Sequence, residues 1–288
     1  MSKALDPRRH AYRDDLAADS LIGRVRARRY FAGVRRQIIR SAVPLRRQPD
    51  ASVGLDTEAL YGETAILYDE ADGWAWVQLE RDHYVGYLPA DTLSSAIREE
   101  THRVKALGTF LYPQADIKSP PMAHLSINSS LAIAESDEKF SRTAGGAFVM
   151  TRHIAEKGRF ARDFVDVAEQ LEGTPYLWGG RTRVGLDCSG LVQVSLEAAG
   201  IACPRDSDMQ QNELGAEVLI PDTLEGFERG DLVFWKGHVG IMIDGVMLLH
   251  ANAHHMAVAV ETLPEVVERN NRAGSPVTAI RRLPTLTA

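Results

Sequence analysis

At 288 residues the chain is long enough for more than one hydrophobic core, and 44% hydrophobic with 25% charged residues excludes a disordered, collagen-like or coiled-coil protein. No run approaches 18 consecutive apolar residues, which excludes a membrane-spanning helix. The formal charge of −6 hides an asymmetry: residues 1–50 hold 13 Lys and Arg against 5 Asp and Glu, and the remaining residues hold 20 against 34.

The first segment, 1–30, sets Arg8, Arg9, Arg13, Arg24, Arg26, Arg28 and Arg29 among Asp14, Asp15 and Asp19. It lacks an apolar h-region and a small-residue cleavage site, so it does not read as a secretory signal. Leu16, Leu21, Ile22 and Val25 fall in patches of helical spacing, which predicts a partly helical lead-in. No zinc-ligand spacing, phosphate-binding glycine loop or nucleic-acid motif accompanies the basic residues. They are expected to form a face that docks on the acidic remainder, with no nucleic-acid partner.

From 31 to 98 the texture changes to short β-type runs bounded by Pro, Asp or Gly. Residues 37–40, 64–68, 74–79 and 84–88 are the predicted strands. The succession Gly62-Glu63, Asp72-Gly73-Trp74-Ala75-Trp76-Val77 and Gly86-Tyr87-Leu88-Pro89 resembles the bacterial SH3-like module. Residues 99–156 repeat the pattern more faintly, with a β-type run inside 104–112, breaks at Pro113, Pro120 and Pro121, and a last strand at 147–150. A second, divergent barrel is expected there.

A third domain, 157–288, opens where Phe164, Val167, Ala168 and Leu171 recur at helical spacing and stop at Gly173-Thr174-Pro175. Beyond it, Leu191, Val192, Val194, Leu196 and Ala198 describe a buried helix ending at Gly200, which places Cys188 in the first turn. The positive end of a helix favours a thiolate, so Cys188 is expected to be an activated nucleophile with a lowered pKa. The other cysteine, Cys203, sits in an apolar slot and is expected only to pack. With only these two cysteines, free thiols in a reducing cytoplasm are expected.

A nucleophile needs a base, and two histidines flank an Asp244-Gly245 turn: His238 opens one β-type run and His250 closes the next. A two-residue loop would pair positions totalling 489 and send the imidazoles to opposite faces. Both reach one site only if the loop is odd in length or the strand is bulged, and that register, totalling 488, is the expected one. His238 could then take the Cys188 proton while His250 holds His238 through a ring hydrogen bond. His254 and His255 follow without an acid or cysteine at metal-ligand spacing, so no metal and no cofactor are expected.

Together, Tyr176-Leu177-Trp178-Gly179-Gly180, Asp187-Cys188-Ser189-Gly190-Leu191-Val192, Gly230-Asp231-Leu232-Val233-Phe234, His238-Val239-Gly240-Ile241 and His250-Ala251 resemble the NlpC-type cell-wall cysteine peptidases over about residues 160–288. The resemblance implies an α+β fold in which a papain-like domain, its nucleophile helix packed on an antiparallel sheet, follows two small SH3-like β-barrels. It implies Cys188 as nucleophile, His238 as base and His250 as orienting residue. The Cys188 backbone N–H and the Tyr176 phenol become oxyanion donors.

With SH3-like modules upstream, the resemblance points to the branch that cuts the γ-D-Glu to diamino-acid bond. The implied partner is a free murein tripeptide or tetrapeptide with an N-terminal L-Ala. Asp187 would then receive the substrate's α-amine, with Ser189 beside it and Trp178 walling the pocket. Ser207, in Pro204-Arg205-Asp206-Ser207, would contact the D-Glu carboxylate, and Glu63 and Tyr84 of the first barrel would cap the amine end. An acidic pocket rejects an acylated terminus, which fits recycling of released peptides in the cytoplasm. Two alternatives are a non-catalytic muropeptide-binding module and a thiol acyltransferase or amidase acting on another amide.

Overall fold

The computed structural model describes residues 5–220 and 224–284. The chain forms two compact units that part between Lys157 and Gly158; the outer ends of the predicted 1–30 and 157–288 segments lie outside the described residues.

The N-terminal unit is almost entirely β. Its first body is a five-stranded antiparallel sheet in the order Val85–Pro89, Trp74–Leu79, Thr64–Ala71, Val34–Ile38, Leu93–Ser94. A ribbon of Ala42–Leu45 with Thr57–Leu60 accompanies it. Period-two alternation sends Ile38, Val43, Leu45, Ala65, Val77, Leu79 and Leu88 into one core. The strand expected at 37–40 ends two residues early, at Ile38. A second body has its own core of Val104, Leu111, Leu125, Leu131, Val149 and Ile154, carried on short ribbons and three-stranded sheets.

Among its described residues the lead-in holds no α-helix, which corrects the helical reading of its spacing. Leu16–Ala18 pairs in parallel with Arg29–Phe31, and a single 3₁₀ turn lies at Asp19–Leu21. Tertiary burial overrides the local spacing, since Leu16 and Leu21 pack with Tyr68 and Trp76 of the first body. Arg13 lies over the Trp76 ring, 4.3 Å from its centroid, and its guanidinium reaches Asp69 at 2.6 Å. Arg13 docks in cis as expected, as do Arg35 on Glu80 at 2.6 Å and Arg47 on Asp56 at 2.5 Å, whereas Arg24, Arg26, Arg28 and Arg29 stay exposed.

Among its described residues the C-terminal unit has four helices, a six-stranded antiparallel sheet and a two-stranded ribbon of Arg181–Thr182 with Gly185–Leu186. The helices are α1 (Phe164–Glu169), α2 (Cys188–Ala198), α3 (Ser207–Glu213) and α4 (Leu263–Arg272). The strands of the sheet are β1 (Ala216–Val218), β2 (Leu232–Trp235), β3 (His238–Met242), β4 (Met247–Asn252), β5 (Ala257–Thr262) and β6 (Val277–Arg282), in the order β1-β6-β2-β3-β4-β5. α2 packs on β3 and β4. α4 adds Leu263 and Val266 to a core with Trp235, Met242, Leu248 and Ile280.

α2 stops where its sequence says it should. Gly200 has φ +81°, and a Cβ there would also meet the Phe160 ring at 2.7 Å. Among the described residues no helix is long and apolar enough to cross a membrane.

Because Leu16 is 4% exposed in the core shared with Trp76, Leu16→Ala should cost about 2–5 kcal/mol in denaturant unfolding. Amide exchange should accelerate at residues 16–18 first. An unchanged midpoint would show that the lead-in contributes nothing to the N-terminal unit.

Candidate active site

Asp187 fixes the start of α2. As N-cap it accepts the Gly190 N–H at 2.7 Å through Oδ1, while Oδ2 accepts the Gly179 N–H at 2.7 Å. Arg205, buried to 1% exposure, donates to both oxygens, at 2.9 and 2.7 Å. Ser189 completes the knot by donating to Asp187 at 3.3 Å and accepting from Arg205 at 2.8 Å. The buried Gln210 amide donates to the Ser189 carbonyl at 2.9 Å, which ties α3 to the first turn of α2. Residue 190 must be glycine, because a Cβ there would stand 2.2 Å from the Gly180 carbonyl oxygen.

This overturns the expectation that Asp187 is an unpaired acid awaiting an ammonium group. Its carboxylate is committed to a helix cap, a loop amide and a guanidinium, and Ser189 is committed with it. The sequence reading quoted Arg205 but assigned it no charge partner.

Cys188 is therefore held as the first helical residue, 7% exposed, as the reading expected. Its thiol is not of lowered pKa, and here too the expectation is corrected. Burial pushes it up to about 12 and the Asp187 charge adds to that, while the Val239 and Ser189 backbone N–H groups and Arg205 act in the opposite direction. The helix end is outweighed by burial. Cys203 is also a free thiol, packed beside Gln210, whose amide lies 3.4 Å from its sulfur.

The hairpin between β3 and β4 resolves the parity question. Ile241 pairs with Leu249 and Met242 with Leu248, so partners total 490, two more than the expected 488. The loop is Asp244-Gly245-Val246, odd in length, closed by Asp244 accepting the Val246 and Met247 N–H groups, each at 2.7 Å. His238 and His250 thus share a face as diagonal neighbours, and His238 Nε2 lies 2.8 Å from His250 Nδ1. Although part of His238 remains accessible, desolvation brings its pKa down to about 3, helped by His250. Burial also lowers that of His250.

The row continues onto β5. His250 pairs with Ala259, which makes Glu261 its diagonal neighbour, and His250 Nε2 meets Glu261 Oε2 at 2.8 Å. Arg269 of α4 donates to both Glu261 oxygens, at 2.5 and 2.8 Å. Burial raises the Glu261 pKa, but Arg269 and His250 bring it to about 2. The sequence reading missed both residues. The pairing arithmetic used for the first hairpin, applied across the 253–256 turn, would have found Glu261.

Tyr176 is anchored by its N–H to the Met256 carbonyl at 2.9 Å. Burial, followed by the charges of Cys188 and Asp187, pushes its phenol up to about 12, so it stays protonated and able to donate a hydrogen bond. Trp178 is 64% exposed on the loop before Gly179. Ser207 opens α3 and is half-buried. Glu63 and Tyr84 are both buried in the N-terminal unit. Glu63 accepts the Leu60 N–H at 3.1 Å and pairs with Arg81 at 2.7 Å, and Tyr84 belongs to the first body's core.

Comparison with known proteins matches a segment of each unit. Residues 173–271 match the NlpC/P60 family, and residues 45–93 match the bacterial dipeptidyl-peptidase SH3 domain. A dipeptidyl-peptidase 6 of Lysinibacillus sphaericus is 26% identical over 69% of this chain and 71% of its own. A gamma-D-glutamyl-L-lysine dipeptidyl-peptidase of Bacillus subtilis (strain 168) is 26% identical over 74% of this chain and 77% of its own. The crystal structure of an NlpC/P60 family protein from Bacillus cereus ATCC 10987 superposes with a TM-score of 0.72 at 21% identity, covering 87% of this chain and all of that one.

Two stability outcomes follow from the charges. Asp187→Asn strands a buried guanidinium and should cost about 3–5 kcal/mol in urea unfolding; a loss below about 1 kcal/mol would contradict the Asp187–Arg205 pairing. His238, neutral when folded, has a pKa of about 3 against about 6.5 unfolded, so the unfolded state binds more protons between those values. Stability should be full above about pH 6.5 and fall as pH drops toward 3. His238→Gln should flatten that slope, and an unchanged slope would contradict the assignment.

Proposed function

We propose that this chain, with its NlpC/P60 domain and bacterial SH3 domain, is a cysteine endopeptidase that hydrolyses the γ-D-Glu to diamino-acid amide of free murein peptides carrying an N-terminal L-Ala. The observation that carries the reading is a helix-borne thiol whose sulfur accepts the N–H of Val239, the neighbour of the first member of the His238–His250–Glu261 row. Cutting at that bond releases an N-terminal dipeptide, in keeping with the names of the two relatives described above.

The chemistry starts from neutral partners. His238 Nε2 is engaged by His250, which leaves Nδ1 for Cys188, whose sulfur receives the Val239 N–H next along the chain. As the γ-carbonyl carbon of D-Glu approaches, the thiol proton passes to His238 Nδ1 while sulfur forms its bond to that carbon. The oxyanion is received by the Cys188 N–H, which has no partner within its own helix, and by the Tyr176 phenol. Collapse breaks the C–N bond, His238 returns its proton to the departing amine, and a thioester remains. Water then attacks with His238 as base, the dipeptide acid leaves, and the thiol regains its proton.

Because Asp187 is neutralised by Arg205, recognition of the free amine rests on the cleft as a whole and not on an unpaired Asp187. A cytoplasmic recycling role belongs to the same proposal, since an intact L-Ala amine occurs only on peptides released from glycan.

The test is turnover of L-Ala-γ-D-Glu-meso-diaminopimelate and its N-acetyl form, followed by mass spectrometry. Wild type should cleave the free peptide, and Cys188→Ala should lose turnover at least about 1000-fold while still binding it. Cleavage of neither peptide by reduced wild type would overturn the reading. Equal cleavage of both would keep the peptidase and remove the amine selectivity.

A further inference from the structure

Resting on the peptidase reading, we propose that Glu261, braced by Arg269, is the positioning residue that fixes the tautomers of both active-site imidazoles and leaves Nδ1 of His238 unprotonated toward Cys188. The argument is one of donors and acceptors. Arg269 donates to both oxygens of Glu261, so the carboxylate stays ionised and can only accept. His250 Nε2, 2.8 Å away, must then carry a hydrogen and donate it.

A neutral imidazole carries one N–H, so His250 Nδ1 is a bare acceptor. The 2.8 Å contact to it obliges His238 Nε2 to be the donor, and His238 Nδ1 is the lone pair that remains. Desolvation keeps both rings neutral, as this directional chain requires. Reversing any one bond would put a proton on His238 Nδ1 and disable the base.

The groups that face Glu261 are His250 on β4, Arg269 on α4 and His255 on the β4–β5 turn, whose Nε2 stands 3.4 Å from Oε1. Glu265, also on α4, acts on Arg269. The carboxylate therefore does more than hold a ring in place. Once His238 has taken the thiol proton, the Glu261 anion stabilises the imidazolium through His250, and no proton needs to move beyond His238.

The experiment uses the full chain labelled with [15N]histidine, with ring signals assigned by single histidine replacements. Long-range 15N–1H correlation spectra at pH 7 should show His238 and His250 both protonated at Nε2. In Glu261→Ala the His238 signal should become a mixture of tautomers. kcat should fall about 10- to 100-fold, the scale on which loss of an outer-shell histidine partner acts at metal sites, with KM held within about threefold. The acid limb of kcat/KM should move to lower pH, because the anion that favoured the imidazolium is gone; Glu261→Asp should recover the tautomers.

His238 protonated at Nδ1 in wild type would overturn the proposal, as would wild-type tautomers and kcat in Glu261→Ala. If that variant does not fold, the wild-type spectrum decides alone. Absence of turnover by wild type would count against the peptidase reading, while the spectrum would still decide the tautomer.

Discussion

The ion pair between Asp187 and Arg205 is the contact on which the site's geometry depends. One carboxylate caps α2, receives the Gly179 amide and neutralises a guanidinium buried to 1% exposure. Cys188 follows it directly, so its backbone N–H and its sulfur are placed by whatever places Asp187. Removing either charge leaves the other buried and unpaired, a penalty larger than the net worth of the intact pair. This explains why an acid stands beside a nucleophile whose deprotonation it opposes: the helix start requires it, and Arg205 limits the electrostatic penalty.

The sheet supplies the other half. His238, His250 and Glu261 come from three adjacent antiparallel strands, each one diagonal step from the next, with Arg269 closing the row from α4. A one-residue slip in either hairpin would turn one member to the opposite face. The three-residue loop at 244–246 is thus part of the chemistry, and Asp244 earns its place by closing that turn.

Much of this was legible from residues alone. The position of Cys188 followed from the apolar spacing of α2 and its stop at Gly200, and the shared face of the two histidines was expected because both had to reach one site, against the opposite faces that a two-residue Asp244-Gly245 loop would give. The total is 490 and not 488 because the residue added to the Asp244-Gly245 loop is Val246 and not Ile243, a choice parity cannot make. Burial was the information the sequence lacked. It reversed the direction expected for the Cys188 thiol, turned Asp187 from a free acid into a paired one, and placed Glu63 and Tyr84 in the interior of their own unit. Leu16 and Leu21 carried helical spacing yet became a strand and a turn, because Trp76 offered a surface to cover.

The central claim is that Cys188 attacks the γ-glutamyl carbonyl with His238 as its base. The most direct measurement is peptide mapping by mass spectrometry after exposure to a chloromethyl ketone that replaces the scissile amide of L-Ala-γ-D-Glu. The account predicts labelling at Cys188 and its loss in His238→Ala. Labelling at Cys203, or equal labelling of Cys188 with and without His238, would contradict it.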